Sequence, residues 1–282
     1  MGETLGKNHP FWRYDAGLLN EALYLHEDDE ACVAVVAPRH PATNTAHEVG
    51  YRLVIFGEPA PAASALAALP HQWRTPARVM MNREVYESLT DSERHHFGEH
   101  WGLEWDYYYT SQPLEYDAVD HPQAPARTPR GGNAYKVEYL RSPRSLPFSE
   151  RGAVAPLYAE LRTVLAQSNP ITSAIDDFDD FDWAYLRSSS GTIASVLGIE
   201  KRPGSAHLGG FGTLPAFRRH GFGRTLIVQA TNSLLTQVPY VTFGMWTWND
   251  VARQLYQQIH FTAGPRFISG SPTALPELER QV

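Results

Sequence analysis

Apolar positions along this chain change period several times, and the changes mark out its elements. From Ala153 to Leu165 the residues Val154, Leu157, Leu161, Val164 and Leu165 recur at helical spacing, which predicts a helix with one buried side. Shorter apolar runs predict strands at Tyr135–Leu140, Trp183–Arg187, Thr192–Ile199, Ala206–Leu214 and Tyr240–Trp246. The second and third of these form a hairpin around Ser189, Ser190 and Gly191. A helix is predicted over Phe217–Leu235, a second around Ala252 and Tyr256, and a last strand opening at Phe261. In the first half, strands are predicted at Ala31–Ala37, Tyr51–Phe56, Arg78–Asn82 and Asp106–Thr110, with helices at Ala62–Leu69 and Glu84–His100. Strands alternating with helices predict an α/β fold in both halves.

The stretch 117–133 is rich in Pro, Ala and Gly without apolar periodicity and reads as a linker between an N-terminal α/β domain, 1–116, and a second domain, 134–282. At 282 residues and 43% hydrophobic content the chain can fill a core in each. A single cysteine, Cys32, excludes a disulfide framework and points to a reducing compartment. The N-terminus lacks an apolar signal core and no apolar run reaches membrane-spanning length, so a cytoplasmic protein without a membrane partner is expected. Gly6 stands where a myristoylation signal wants Ser or Thr, and Gly2 is read as incidental. A net charge of −7 argues against a nucleic-acid partner and for a cationic one. Acid is concentrated in one place, where Asp176, Asp177, Asp179, Asp180 and Asp182 interleave with Phe178, Phe181 and Trp183. His96 and His100 have i, i+4 spacing, but exposed helical pairs of this kind are ordinary surface, and no metal is expected.

The chemistry concentrates where a predicted strand turns into a predicted helix. Arg218-Arg219-His220-Gly221-Phe222-Gly223 places two glycines at the helix start, where unpaired amides and the positive end of the macrodipole can hold a pyrophosphate. Downstream, Asn249, Ala252, Leu255, Tyr256 and Phe261 form N-x-x-A-x-x-L-Y followed by an aromatic. The two segments together resemble the acyl-CoA signature and the second signature of the GCN5-related N-acetyltransferase (GNAT) family, with His260 in place of a common glycine. The resemblance covers about residues 134–270 and implies a mixed, largely antiparallel sheet splayed between its fourth and fifth strands, the splay being the slot for pantetheine. The first half is loosely similar in element order but carries no phosphate cradle. It is expected to be a degenerate tandem half, with an unrelated lid or a dimerisation domain, and hence a homodimer, left open.

The same resemblance implies roles for individual residues. Acetyl-CoA, the expected co-substrate, would be held by Arg218, Arg219, His220, Gly221, Phe222, Gly223, Arg224 and Thr225, with Asn249 from the second signature; a solvated helix face is the alternative for each arginine. Backbone amides of Phe211 and Thr213 would bind along the fourth strand and polarise the thioester carbonyl, although Gly209, Gly210 and Gly212 around them equally suggest a bulge. Tyr256 sits at the general-acid position, with a phenol whose pKa is about 10. His207, eleven residues before Arg218, is the candidate base, with loss of the proton to water as the alternative and Glu200 in reserve. Asp176, Asp179, Asp180, Asp182 and Trp183 would overhang the pocket and favour a small cationic amine, an aminoglycoside in particular. A protein, peptide or polyamine acetyltransferase and a non-catalytic acyl-CoA sensor are the alternatives.

Overall fold

Residues 7–15, 22–37, 50–115 and 135–273 are described by the computed structural model of the protein. The expected linker at 117–133 lies outside them. Contacts divide the chain into two units, Met1–Tyr108 with Gly244–Asp250 and Ala263–Val282, and Tyr109–Phe243 with Val251–Thr262. The division departs from a single cut after residue 116, because the last strand of the chain counts with the first unit.

In the first unit β1 (Tyr24–Glu27), β2 (Ala31–Val36) and β3 (Arg52–Gly57) form an antiparallel meander, α1 (Pro59–Ala67) crosses over, and β4 (Arg78–Asn82) returns parallel to β3. The helix expected over 84–100 is two, α2 (Arg83–Ser88) and α3 (Asp91–Phe97), followed by β5 (His100–Thr110). Thr90 causes the break: its hydroxyl accepts from Glu93 N while the Glu93 carboxylate accepts from Thr90 N at 2.7 Å, a capping box that starts a new helix. His100 therefore lies on a strand, and the i, i+4 helical pairing of His96 with His100 does not form.

In the second unit β6 (Glu138–Leu140) leads to α4 (Phe148–Ser168), then to β7 (Asp182–Arg187), β8 (Ile193–Arg202) and β9 (Ser205–Thr213), an antiparallel meander. α5 (Phe222–Leu235) crosses over and β10 (Tyr240–Trp246) returns parallel to β9, followed by α6 (Asp250–Gln258) and by β11 (Thr262–Ser271), which counts with the first unit. The strand order is β1-β2-β3-β4-β11-β5 in the first unit and β10-β9-β8-β7-β6 in the second. Ile193–Ile199 of β8 is buried without interruption, the pattern of a strand covered on both faces. Leu161, Val164 and Leu165 of α4 pack there with Phe178, Phe181 and Trp183. This is the element order, and the largely antiparallel mixed sheet, that the resemblance implied.

The two units repeat one topology: a three-strand meander, a crossover helix and a parallel fourth strand. In the first unit the junction at the end of the parallel pair is filled. The Asn82 side chain donates to Gly57 O and accepts from Gly57 N, both at 3.1 Å, so one amide occupies the backbone groups at the strand-to-helix turn. Among the described residues no helix is long and apolar enough to cross a membrane.

Candidate active site

β9 and β10 pair only from Ser205–Tyr240 to Leu208–Phe243. Beyond Leu208, residues Gly209–Thr213 keep β8 as their partner among the pairings described, so one backbone edge of β9 leaves the ladder here. The β8 side is also irregular. The register shifts between Val196 and Gly198, opposite a β9 segment in which Gly210 has φ +58°, a left-handed conformation that glycine adopts without a Cβ penalty. The three glycines thus mark both of the features weighed from the sequence, a bulge and a splayed strand. α4 clamps the bulge, since Asn169 Nδ2 donates to Phe211 O at 3.0 Å and a Cβ at Gly212 would lie 2.0 Å from Ser168 Oγ. Ser195 fixes the far end by donating to Gly212 O at 2.8 Å and sharing a 3.0 Å hydrogen bond with Thr213 Oγ1.

The turn expected to hold phosphate follows directly. Pro215–Phe217 is a 3-10 turn rather than the first turn of the expected helix, and α5 starts only at Phe222, because Arg219 and Gly221 take positive φ of 62° and 83°. Gly221 is the N-cap residue: no side chain caps α5, its first turn holds no acid, and a Cβ at Gly221 would meet nothing within 4 Å among the described residues. The first helical bond runs from Thr225 N to Gly221 O at 2.9 Å, leaving the preceding amides of the turn outside the α-helical ladder. Gly223 has a different role. A Cβ there would lie 2.8 Å from Thr213 Oγ1 and 3.1 Å from Phe211 Cζ, so its absence lets the helix start sit against β9.

The arginines divide by task. Arg218 donates from Nε to Thr213 O at 3.1 Å and from Nη2 to Ser168 O at 3.2 Å, tying the turn to β9 and α4. Arg224 reaches Gln258 at the end of α6. His220 Nδ1 bonds Arg218 O at 2.8 Å within the turn. Arg219 is exposed, on a turn residue with positive φ. Asn249 falls in the first unit, its N–H bonding Trp246 O at 3.1 Å.

His207 and Tyr256 reach the end of the paired segment from opposite faces of the sheet. His207 pairs with Thr242, and its Nδ1 lies 3.1 Å from Thr242 Oγ1. Tyr256 packs its ring 4.3 Å from that of Phe243, the next residue of β10, whose side chain points to the other face. Glu200 is the cross-strand partner of His207 on β8 and forms an ion pair with Arg202.

The acidic segment does not have the expected form. Trp183, expected to meet the acceptor, is fully buried, stacks on Phe178 with ring centroids 4.3 Å apart, and donates its indole N–H to Phe178 O. A ring inside the core cannot pack on a sugar. Phe178 and Phe181 are buried with it. Asp179 pairs with Arg162 at 3.1 Å, Asp180 with Arg144 at 2.8 Å and Asp182 with Lys201 at 2.9 Å, while Asp182 also accepts from Ser142 N. Asp176, at the end of a 3-10 turn, is exposed. Alternation of charge and aromatic residues arises here from two short 3-10 turns that send the rings inward and the carboxylates onto basic neighbours.

Several residues of the site were not singled out from sequence. Ser168 and Asn169 are signalled only by the Ser-Asn-Pro stop of α4. Ser195, Thr242 and Gln258 carry no motif, and their roles come from strand register and helix packing.

The FR47-like protein family model matches residues 186–266, a span that runs from the end of β7 into β11 and contains the bulge, the cradle, His207 and Tyr256. No curated protein matches the sequence. Similar solved structures include a GCN5-related N-acetyltransferase from Kribbella flavida, at 13% identity and a TM-score of 0.49, covering 92% of this chain and 93% of that one. A GCN5-related N-acetyltransferase from Sphaerobacter thermophilus is similar at 14% identity and a TM-score of 0.48, covering 88% and 79%. L-PGS from Bacillus licheniformis is similar at 13% identity and a TM-score of 0.46, covering 94% and 89%.

Proposed function

We propose that this chain is an acetyl-CoA-dependent N-acetyltransferase whose acceptor is a primary amine. The observation that carries the reading is the break in β9–β10 pairing at Leu208 and Phe243, beside a glycine bulge and an uncapped helix start. The strand edge suits a pantetheine arm, and the turn at Gly221 and Arg219 suits a pyrophosphate. In the reaction the amine nitrogen attacks the thioester carbonyl carbon, the C–S bond breaks, and two protons move. His207, directly or through water, takes the proton from nitrogen; Tyr256 gives one to the departing thiolate. Amides of the β9 edge at Phe211 and Thr213 would stabilise the charge on the carbonyl oxygen.

The acceptor is proposed at the level of a primary amine. An aminoglycoside remains one arm of the screen, no longer backed by the acidic segment, whose Asp179, Asp180 and Asp182 already hold cations of the chain itself. Calorimetric titration with acetyl-CoA, followed by thiol release with aminoglycosides, polyamines and peptides, tests the reading. Saturable binding and amine-dependent thiol release are expected. An intact protein that fails to bind acetyl-CoA overturns it, and binding without turnover against every amine class leaves an acyl-CoA sensor.

A further inference from the structure

Thr242 has no place in either sequence motif, yet its side chain is fully buried at the point where the parallel strands are about to part. Its hydroxyl oxygen lies 3.1 Å from His207 Nδ1, and the two residues are Cα partners, so their side chains share one face of the sheet. A hydroxyl can donate to an imidazole nitrogen or accept from it. Once imidazole takes up a proton, both ring nitrogens are donors, and only the second arrangement persists. We infer that Thr242 is the positioning residue for His207: it accepts a hydrogen bond from Nδ1–H, holds the ring toward the slot, leaves Nε2 as the basic nitrogen and stabilises the imidazolium formed when the amine loses its proton. The inference rests on the proposed acetyltransferase reading.

The surroundings of His207 fit that role. On the β8 side its cross-strand partner is Glu200, whose carboxylate is engaged by Arg202. On the same face the next position of β9 is Gly209, over which the apolar ring of Phe181 lies, 3.0 Å from where a Cβ would be. Tyr256 stands on the opposite face through Phe243. Thr242 places its hydroxyl within hydrogen-bond distance of a ring nitrogen, and it comes from the strand that forms the other wall of the slot.

Thr242→Val keeps the branched shape and removes the hydroxyl; Thr242→Ser keeps the hydroxyl and removes the methyl group. Nitrogen-15 NMR of the histidine-labelled protein, with the His207 signal assigned through His207→Gln, reads the tautomer whether or not turnover occurs. In the wild type neutral His207 is expected as the Nδ1–H tautomer. In Thr242→Val that preference is lost, because Nδ1–H loses its acceptor; Thr242→Ser restores it. In thiol-release assays Thr242→Val is expected to lower kcat about tenfold or more, the scale of one hydrogen bond to a charged group. Acetyl-CoA affinity does not change. An unaltered His207 tautomer in Thr242→Val overturns the inference even if the enzyme is active. An altered tautomer in a protein that binds acetyl-CoA but turns over no amine overturns the acetyltransferase reading instead. Loss of acetyl-CoA binding in Thr242→Val with the His207 signal unmoved makes Thr242 a packing residue and also sinks the inference.

Discussion

Gly221 and Gly223 belong to one motif, but the structure needs them for different physical reasons. Gly221 is required by its backbone, with φ 83° at the N-cap, and Gly223 by its neighbours, Thr213 and Phe211. Gly221→Ala should therefore cost about 1 kcal/mol of stability from the left-handed conformation, with modest loss of acetyl-CoA affinity. Gly221→Asp adds a negative charge where the phosphates are expected and should weaken acetyl-CoA binding much further in the calorimeter. Equal affinities for the Ala and Asp variants would remove the phosphates from this turn. Tyr256→Phe keeps the ring on Phe243 and removes the proton, so turnover should fall by about 10²-fold with acetyl-CoA binding intact. Wild-type turnover in that variant would leave Tyr256 as packing alone.

At the scale of elements, the segment between α4 and β7 decides between a recognition loop and a structural one. Its carboxylates meet Arg162, Arg144 and Lys201, and its rings meet the core under α4. Exposed ion pairs contribute about 0–1 kcal/mol each, so Asp179→Asn should change stability little and leave the acceptor Michaelis constant where it was. Asp182→Ala should cost more, about 1 kcal/mol, because Asp182 also accepts from Ser142 N and joins the segment before α4 to β7. Urea unfolding distinguishes the two. A rise of the acceptor Michaelis constant at low salt in the Asp179 variant would return the loop to substrate recognition. The same paragraph of chain shows why sequence misled: an acidic-aromatic alternation fits a cleft and a 3-10 turn equally well, and only the fold says which way the rings point. Helix and strand identities were easier, because Leu161, Val164 and Leu165 had to share one face wherever α4 packed.

At the scale of the whole molecule, the first unit depends on the end of the chain. β11 pairs with β4 from Phe267–Asn82 to Gly270–Val79, and the Phe267 ring lies 4.3 Å from Phe11 and 4.6 Å from Trp105. A fragment ending at residue 116 lacks that strand and should fail to give the dispersed amide NMR spectrum of a folded domain. A dispersed spectrum would show that residues 1–116 form a core without β11. Stability toward alkali follows from two tyrosines. Burial raises the phenol pKa of Tyr158, and burial together with the hydrogen bond to Glu138 raises that of Tyr185. Neutral tyrosine is thus favoured in the folded state, and the stabilisation is complete below the ordinary tyrosine pKa of about 10 and lost as pH rises through the raised values. Thermal melts should show Tyr185→Phe less sensitive than wild type between pH 10 and higher values, about where tyrosine ionises; an identical slope would remove Tyr185 from the alkaline transition.

Local pattern was legible in the sequence alone: the order of elements in the second half and the glycine turn at Gly221 follow from period, spacing and the conformations glycine permits, and the candidates His207 and Tyr256 from the motifs that resemble a family's. These depend on residues within a few positions of one another, and neighbours in the chain are neighbours in any fold. The tertiary structure alone decided what lies across a sheet or against a helix. It set Thr242 beside His207, turned Trp183 into the core, gave the acidic residues their basic partners, filled the first unit's turn with Asn82, and assigned β11 to the first unit. Each of these depends on strand register or packing between residues far apart in the chain, which no local pattern encodes.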